Sequence, residues 1–309
     1  MTSSGRSKGL RAGLLRWTGH IRVNWPWVLY QRFGVNNLVT NRFLRPIEFA
    51  GASSCDIDVA EYERLLSFDV MQRFRKYDFV FDKVLEYCAS LKLLSLNRES
   101  VLLDAAGGCG EFAALAAEMY SPQKVYCLDL VASRDRGNSV LRLHGKVSSI
   151  PLPDESVTAI SCHHSFEHFK GDADINFVRE LSRILKPGGK ACIVPIFLCN
   201  RYAEIWNMWP PGKKYDRNAV RLYDPLGTFP GWGKGERFAR VYDLTAFKER
   251  IVQTLPDTLG FNIHEIFYQS RPCPDIKKNR HQPKLNGSMK ALVLTKNISE
   301  ETQPCMFPR

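Results

Sequence analysis

The chain has 309 residues, 44% of them hydrophobic, which is enough for one large core or a core with a small accessory domain, and no run of about 18 apolar residues predicts a membrane span. Its nine cysteines include no Cys-x-x-Cys pair, which argues against a zinc site or a disulfide framework and favours a reducing, cytoplasmic compartment. The net charge of +11 is concentrated in residues 1–47 and 270–290, so the body is nearly neutral and no nucleic-acid partner is expected.

The N-terminal arm carries eight Lys or Arg residues and no acidic residue within positions 1–47. One apolar helical stripe is predicted by the spacing of Leu10, Leu14, Trp17 and Ile21. A basic amphipathic helix with tryptophans is typical of binding to an anionic membrane surface, so the protein could be membrane-peripheral. Packing of the helix on the body and an organelle transit peptide are the alternatives.

From residue 74 onward, helical and strand periodicities alternate. Helices are predicted at 74–94, 110–120, 174–186 and 243–254, and strands at 101–106, 125–130, 141–147, 157–162, 190–197, 261–268 and 289–296. This alternation predicts an α/β fold: a Rossmann-like, doubly wound sheet, mostly parallel, with an antiparallel strand near the C-terminus. We divide the chain into a basic arm with a helical or irregular extension (1–73) and a main domain (74–309) with its cofactor-binding core at 100–197.

Residues 198–242 interrupt the alternation with a polar, aromatic segment rich in proline and glycine. A long irregular segment between sheet elements is often functional, so we predict an inserted substrate lid. An ordinary structural insertion, with aromatic side chains packed on neighbouring helices, is the alternative. Rings that could stack on a sugar or an aromatic acceptor are the candidate substrate contacts: Trp206, Trp209, Tyr215 and Trp232.

The stretch VLLDAAGGCGEFAALAAEM begins at Val101 and reads as a strand, a glycine-rich turn and a helix. Gly108, Gly110 and Ala113 satisfy the pattern G-x-G-x-x-G/A, and an acid, Asp129, ends the next strand. Taken alone, these residues fit a nicotinamide dinucleotide as well as other nucleotide-like cofactors. Asp104 is the discriminating residue, because a carboxylate ahead of the loop would repel a pyrophosphate and suits a cofactor with an ammonium group and no phosphate.

Four segments match a known pattern in order: VLLDAAGGCGEFA, VYCLDL, SIPLPDESVTAISCHHSFEHF and FVRELSRILKPGGKACIV. Together they resemble the core of a class I S-adenosylmethionine-dependent methyltransferase of the small-molecule type, with a methyltransferase type 11-like core. The resemblance covers about a third of the chain. It implies S-adenosyl-L-methionine as the cofactor.

The resemblance also implies roles for individual residues. Asp104, Ala106, Gly108 and Gly110 would line the methionine moiety, with Ala106 at a position where the family usually has glycine. Further cofactor contacts would come from Asp129 at the ribose, Leu130 and the Val147 backbone at the adenine, and Cys162 and His163 beside the sulfonium.

Methyl transfer to a hydroxyl also needs a base, and the segment CHHSFEH offers candidates at the end of the fourth core strand. We predict His164, His168 and Glu167 as catalytic residues, since histidine is the natural base near neutral pH. A structural role of the Glu167–His168 pair in capping the loop is the alternative. No metal is expected to take part.

The predicted function is S-adenosylmethionine-dependent methyl transfer to an oxygen atom of a small-molecule or glycan acceptor. A nicotinamide-dependent oxidoreductase and a non-catalytic binding protein with this fold are the alternatives. Methylation of nucleic-acid bases ranks low, because residues 162–165 read Cys-His-His-Ser and lack the Asn/Asp-Pro-Pro-Tyr signature.

Overall fold

The structure is a computed structural model that describes residues 44–72, 74–75, 80–131, 139–206, 214–223, 238–272 and 289–298. The helix predicted in the N-terminal arm lies outside these residues. Two of the aromatic residues predicted to contact substrate, Trp209 and Trp232, also lie outside them.

The described residues form a large and a small β-sheet. The strands are β1 (Ser53–Ile57), β2 (Val101–Ala105), β3 (Lys124–Asp129), β4 (Leu141–His144), β5 (Val157–His163), β6 (Leu185–Val194), β7 (Ala203–Trp206), β8 (Val220–Tyr223), β9 (Phe238–Val241), β10 (Leu259–Tyr268), β11 (Arg271–Pro272) and β12 (Met289–Lys296). In the large sheet the order is β1-β10-β12-β6-β5-β2-β3-β4, and the short β11 pairs with β10. Along this order only β12 is antiparallel to its neighbours. The predicted, mostly parallel sheet with an antiparallel strand near the C-terminus is confirmed.

Helices cover both faces of the large sheet. They are α1 (Val59–Ser67), α2 (Asp69–Gln72), α3 (Val80–Leu94), α4 (Glu111–Tyr120), α5 (Ala173–Ile184) and α6 (Leu244–Arg250), with 3-10 turns at Phe166–His168 and Val252–Thr254. One apolar cluster joins α5 and α6 to the sheet, and the other joins α1, α3 and α4 to its opposite face. No helix in the described ranges is long and apolar enough to cross a membrane.

The extension predicted for residues 1–73 contributes a strand to the large sheet. β1 pairs in parallel with β10 and forms the edge of the sheet. The helix α1 follows immediately because Asp58 and Glu61 form a capping box, in which Asp58 Oδ1 accepts from Glu61 N at 2.8 Å.

The KPGG segment (186–189) ends the helix α5, as predicted, but it belongs to β6 rather than to a turn before it. The helix ends at Ile184 and β6 begins at Leu185. Gly188 has a φ of 79°, and the pairing of β5 with β6 shifts in register between Val157 and Ala159. The glycines therefore accommodate an irregular start of the strand.

The insertion (198–242) contains the small sheet, ordered β8-β7-β9. A bridge between Leu198 and Tyr242 closes its base. One face of the small sheet has its own apolar cluster, which includes Leu44 from the chain ahead of β1. The insertion thus has a core of its own, and the other face of β7 and β9 is directed to the loop that follows β5.

Candidate active site

The glycine-rich loop joins β2 to the N-terminus of α4 at the carboxyl end of the parallel strands. Ala106, Gly108 and Gly110 all have positive φ, at 53°, 56° and 73°. A side chain does not fit at Gly107, which lies between Ala106 and Gly108. A Cβ there would collide with Asp104 Oδ2 and come within 2.8 Å of Cys127 Sγ. The loop therefore packs directly on the carboxylate that precedes it.

Asp104 is almost fully buried, at 1% exposure. Its Oδ1 accepts a hydrogen bond from Ser161 Oγ at 2.9 Å, whereas its Oδ2 has no hydrogen-bond partner among the described residues. A buried carboxylate oxygen without a partner is unfavourable, so Oδ2 is suited to a donor that the protein itself does not supply.

Asp129 ends β3 and contacts the same loop. Its Oδ2 accepts from Gly108 N and its Oδ1 from Val131 N, both at 2.9 Å. Each carboxylate oxygen keeps a second lone pair, so the side chain can still accept bonds from ribose hydroxyls. Leu130, the next residue, is 63% exposed although it is apolar.

The loop expected to contact adenine follows β4. Val147 is partly buried against the core. The segment is anchored further on, where Ile150 N donates to Glu180 Oε2 at 2.7 Å and Arg183 donates to the carbonyls of Ile150 and Leu152. This anchoring gives the segment around Val147 a defined position beside β3.

Cys162 and His163 lie on opposite faces of β5. Cys162 is buried in the cluster that contains α5, and burial raises its pKa well above the usual value, so its side chain is an inert core group. His163 faces the loop: its Nε2 is 2.8 Å from Ser90 Oγ, and its Nδ1 is 3.7 Å from Asp104 Oδ1. Burial lowers the pKa of His163, which is therefore neutral.

His164 lies between two buried carboxylates. Its Nε2 is 2.5 Å from Glu86 Oε1 on α3, and its Nδ1 is 3.3 Å from Glu167 Oε1. Burial alone would lower the pKa of His164, but the charge of Glu86 and the bonds to both carboxylates raise it to about 9. Lys83 adds a second cation, 2.9 Å from Glu86 Oε2. His164 is consequently an imidazolium near neutral pH.

His168 is about one-third exposed, and its two nitrogens have different surroundings. Nδ1 donates to the carbonyl oxygen of Phe238 at 2.6 Å, and Nε2 lies 3.7 Å from Glu167 Oε1. Although burial alone would raise the pKa of Glu167, His168 and His164 lower it, so the carboxylate stays ionised. Within the described ranges, no group of three His, Cys, Asp or Glu residues is arranged to hold a metal ion.

Sequence reasoning missed the contribution of α3, which supplies Glu86 and Ser90 to the site. Both side chains are fully buried, and they are one helical turn apart on the face that meets β5. The available signal was the occurrence of two polar residues four apart within the otherwise apolar segment 84–91 of this helix. Gly107 was also missed, although it lies inside the quoted loop.

The structure corrects the prediction that Trp206 contacts substrate. Trp206 is fully buried, stacked on Tyr215 with ring centroids 6.0 Å apart, and packed against Phe238 at 5.1 Å. It has no exposed surface for an acceptor, because it forms the core on one face of the small sheet. Tyr215 keeps partial exposure.

These features fit the cofactor that the sequence resemblance implies. The unpartnered oxygen of Asp104 suits an ammonium group, Asp129 suits a ribose, and exposed Leu130 suits an adenine face. Ser165 ties the two halves of the site together, since its Oγ donates to Ala106 O at 3.1 Å. The loop with the histidines is thereby fixed to the glycine-rich loop.

Comparison with known proteins agrees with this geometry. Residues 103–193 match the family described as "Methyltransferase domain". A Mycolicibacterium smegmatis protein named "Probable S-adenosylmethionine-dependent methyltransferase" is 31% identical in an alignment 193 residues long that covers 54% of this chain and 66% of that protein. The chloroplastic 2-methyl-6-phytyl-1,4-hydroquinone methyltransferase of Spinacia oleracea is 25% identical in an alignment 131 residues long that covers 38% of each protein.

The chain thus spans 66% and 38% of the lengths of these two curated relatives. A solved S-adenosylmethionine-dependent methyltransferase from Mesorhizobium loti is 18% identical, with a TM-score of 0.47 over 70% of this chain and 99% of that one. The chain contains a domain of the class I S-adenosylmethionine-dependent methyltransferase family, and its cofactor is S-adenosylmethionine.

Proposed function

We propose that this protein transfers a methyl group from S-adenosylmethionine to a hydroxyl oxygen of a small-molecule or glycan acceptor. The observation that carries the proposal is the orientation of His168, whose Nδ1 is occupied by a carbonyl while its Nε2 can accept a proton. Transfer to oxygen needs such a base, because a hydroxyl must lose its proton as the new bond forms.

The residues that would hold the cofactor follow from the loop geometry. Asp104 Oδ2 would accept from the ammonium group, and the left-handed backbone at Ala106, Gly108 and Gly110 would let the methionine end approach closely. Further contacts would come from Asp129, Leu130, the Val147 backbone, the Cys162 backbone and His163. When bound, the cofactor supplies a methyl group activated by its sulfonium.

His168 is the better base of the two candidate histidines. His164 already carries a proton that two carboxylates stabilise, so it cannot accept another. The nearby carboxylate of Glu167 would stabilise the imidazolium that His168 becomes after it takes the hydroxyl proton. We therefore assign to His168 the acceptance of the hydroxyl proton and to Glu167 the stabilisation of the resulting imidazolium. His164 contributes a fixed positive charge.

Binding of the cofactor is tested by calorimetric titration of S-adenosylmethionine and, separately, of NADH. Wild type should bind the former, and Asp129→Ala should lose most of that affinity. Glu118→Ala is the matched control, because Glu118 is an exposed carboxylate on α4, the helix that begins at the loop. Binding of NADH alone would overturn the assignment of Asp104.

Proton transfer is tested separately, with a panel of hydroxyl acceptors and the variant His168→Gln. Loss of this base should lower kcat by about 100-fold or more while the affinity for the cofactor is kept. An unchanged rate would contradict the role of His168 and would favour an acceptor atom that needs no base.

We further propose a cytoplasmic protein whose residues 1–47 meet an anionic membrane surface, on the basis of their charge. The deletion that tests this should end at residue 43, because Ile47 N donates to Leu198 O and Leu44 packs on the small sheet. Removing residues 1–43 should release the protein from vesicles that contain phosphatidylserine. Undiminished vesicle binding would contradict the proposal.

A further inference from the structure

We infer that the small sheet sets the tautomer of His168: the main-chain carbonyl of Phe238 holds the proton on Nδ1 and leaves Nε2 as the proton acceptor. The inference deepens the proposed function, since it rests on His168 as the base. It assigns a positioning role to Phe238, a residue of the insertion that sequence reasoning did not single out.

The short contact between His168 and Phe238 determines which ring nitrogen carries the proton. Nδ1 lies 2.6 Å from the carbonyl oxygen, and a carbonyl oxygen can only accept, so Nδ1 is the donor. In a neutral ring the other nitrogen, Nε2, then has the lone pair. A free imidazole in water prefers its proton on Nε2, so the carbonyl reverses the ordinary preference.

Burial of the ring cannot account for this tautomer. The side chain of His168 is 34% exposed, so water reaches it and would restore the ordinary preference if the carbonyl were withdrawn. The carboxylate of Glu167 is on the Nε2 side of the ring, with its Oε1 3.7 Å from Nε2. A carboxylate there favours a proton on Nε2, so the Phe238 carbonyl acts against it.

The position of the carbonyl depends on the packing of β9. Phe238 is the first residue of β9 and pairs with Trp206 of β7 in antiparallel register. Its ring contacts those of Trp206 and Tyr215, with centroids 5.1 Å and 5.5 Å away. Aromatic residues predicted to bind substrate therefore support the residue that orients the base.

A second contact fixes the distance between β9 and the loop that carries His168. Arg240, two residues along β9, is fully buried and lies 2.8 Å from Asp174 Oδ2. Its guanidinium also donates to the carbonyls of Phe169 and Gly171, at 3.1 Å and 2.9 Å. Because Phe169 directly follows His168, the strand holds this loop at the histidine and immediately after it.

The experiment weakens one carbonyl without changing a side chain. Replacing Ala239 with lactic acid converts the Phe238 carbonyl to an ester carbonyl, which is a weaker acceptor. Val241→2-hydroxyisovaleric acid is the matched control: it converts the Arg240 carbonyl, and residues 239 and 241 occupy equivalent positions, opposite Ile205 and Ala203 of β7. Both variants lose one backbone N–H of the same strand.

The measurement is the ¹⁵N spectrum of labelled histidine in the full-length protein without added ligands, at a pH where His168 is neutral. A His168→Gln variant identifies its signal among those of the seven histidines. Wild type and the Val241 ester should show Nδ1–H. The Ala239 ester should raise the ratio of the Nε2–H to the Nδ1–H tautomer by about threefold to tenfold, the equivalent of one weakened hydrogen bond.

Two results would overturn the inference. One is an Nε2–H tautomer in the wild type, and the other is the same tautomer ratio in both esters. The readout needs no acceptor, so it is independent of the proposed reaction. A tautomer shift with unaltered methyl transfer would support the inference and would show instead that His168 is not the base.

Discussion

Ala106 has left-handed backbone, with a φ of 53°, at a position where an L side chain is strained. Replacing Ala106 with glycine removes the strain but adds conformational freedom to the unfolded chain. We expect the free energy gained by relief of strain to exceed the entropic cost, so that Ala106→Gly raises the free energy of unfolding by up to about 1 kcal/mol. Denaturant titration measures the change.

Ala105→Gly is the control for this prediction. Ala105 is fully buried in β2 and has no positive φ, so its replacement removes a packed methyl group and relieves no strain. It should lower the free energy of unfolding by about 1 kcal/mol or more. Equal losses in the two variants would show that the loop does not strain Ala106.

Gly107 is limited by space rather than by φ. A Cβ there would collide with the Asp104 carboxylate, whose position the loop depends on. Gly107→Ala should lower the free energy of unfolding by about 1–3 kcal/mol through overpacking, and should weaken cofactor binding because Asp104 must move. Denaturant titration and calorimetry measure the two effects.

The matched control is Gly260→Ala in β10. The nearest atoms to a Cβ on Gly260 are Asn297 Oδ1 and Thr295 O, at 3.8 Å and 3.9 Å, which are ordinary contacts. This variant should keep both stability and affinity. If Gly107→Ala behaves in the same way, Asp104 does not govern the loop.

At the scale of whole elements, α3 is joined to the loop after β5 by the ion pair of Glu86 and His164. The pKa of His164 is about 9 in the folded state and 6.5 in its unperturbed state. A raised pKa stabilises the fold fully below pH 6.5, and this contribution is lost as the pH rises through 9. The shift corresponds to about 1–3 kcal/mol, reduced by the partial exposure of the ring.

The variant that isolates this contribution is His164→Asn, since asparagine tolerates the φ of 44° at this position. The excess stability of wild type over the variant should shrink between pH 6.5 and about 9, followed by denaturant titration at each pH. His264→Asn is the control: partial burial lowers the pKa of His264, so that variant has no such loss at alkaline pH. A pH-independent difference for His164→Asn would contradict the ion pair.

The elements most accurately predicted from the sequence have a periodicity that tertiary contacts reinforce. The strand predicted at 289–296 is found at Met289–Lys296, and the helix predicted at 110–120 is found at Glu111–Tyr120. β1 was not predicted, because its mixed residues form a strand only through pairing with β10, more than 200 positions away. Such long-range pairing leaves no local periodicity.

The residues of the candidate site also differ in how far local sequence predicts them. The positions of Asp104 and Asp129 were predictable because the loop and its two flanking strands are local in sequence and place both acids against the glycine-rich loop. Glu86 was not, because the rotation of α3 about its axis relative to β5 is determined by packing. His164 and His168 could not be distinguished from sequence either, since their difference depends on Glu86 and on Phe238, 78 and 70 residues away in the chain.

For the molecule as a whole, one buried carboxylate is a polar link between the insertion and the methyltransferase core, beside the apolar contacts of Tyr202 and Tyr242. Asp174, in the first turn of α5, lies 2.8 Å from Arg240 of β9 and 2.8 Å from Arg250 of α6. Tyr242 OH also donates to Asp174 Oδ2, at 2.7 Å. Asp174 is the counter-ion of the fully buried Arg240, whereas Arg250 also pairs with Asp172 and Asp216.

Asp174→Asn should therefore destabilise the protein strongly, by about 3–5 kcal/mol, because it removes the counter-ion of the buried Arg240 guanidinium. Asp172→Asn is the control two residues away: Asp172 also pairs with Arg250, at 3.2 Å, but its side chain is 73% exposed. That variant should change stability by less than about 1 kcal/mol. Denaturant titration compares the two.

Hydrogen exchange then shows which part of the Asp174→Asn protein loses stability. If Asp174 joins the insertion to the core, amides of β7 and β9 should lose protection in Asp174→Asn before those of β2 and β5. The reason is that side chains of β7 and β9 pack in an apolar cluster that is separate from those of the large sheet. Uniform loss of protection across both sheets would mean that the insertion and the core unfold as one unit. In that case the small sheet could not move independently of His168, and it would act as a fixed wall of the active site rather than as a lid.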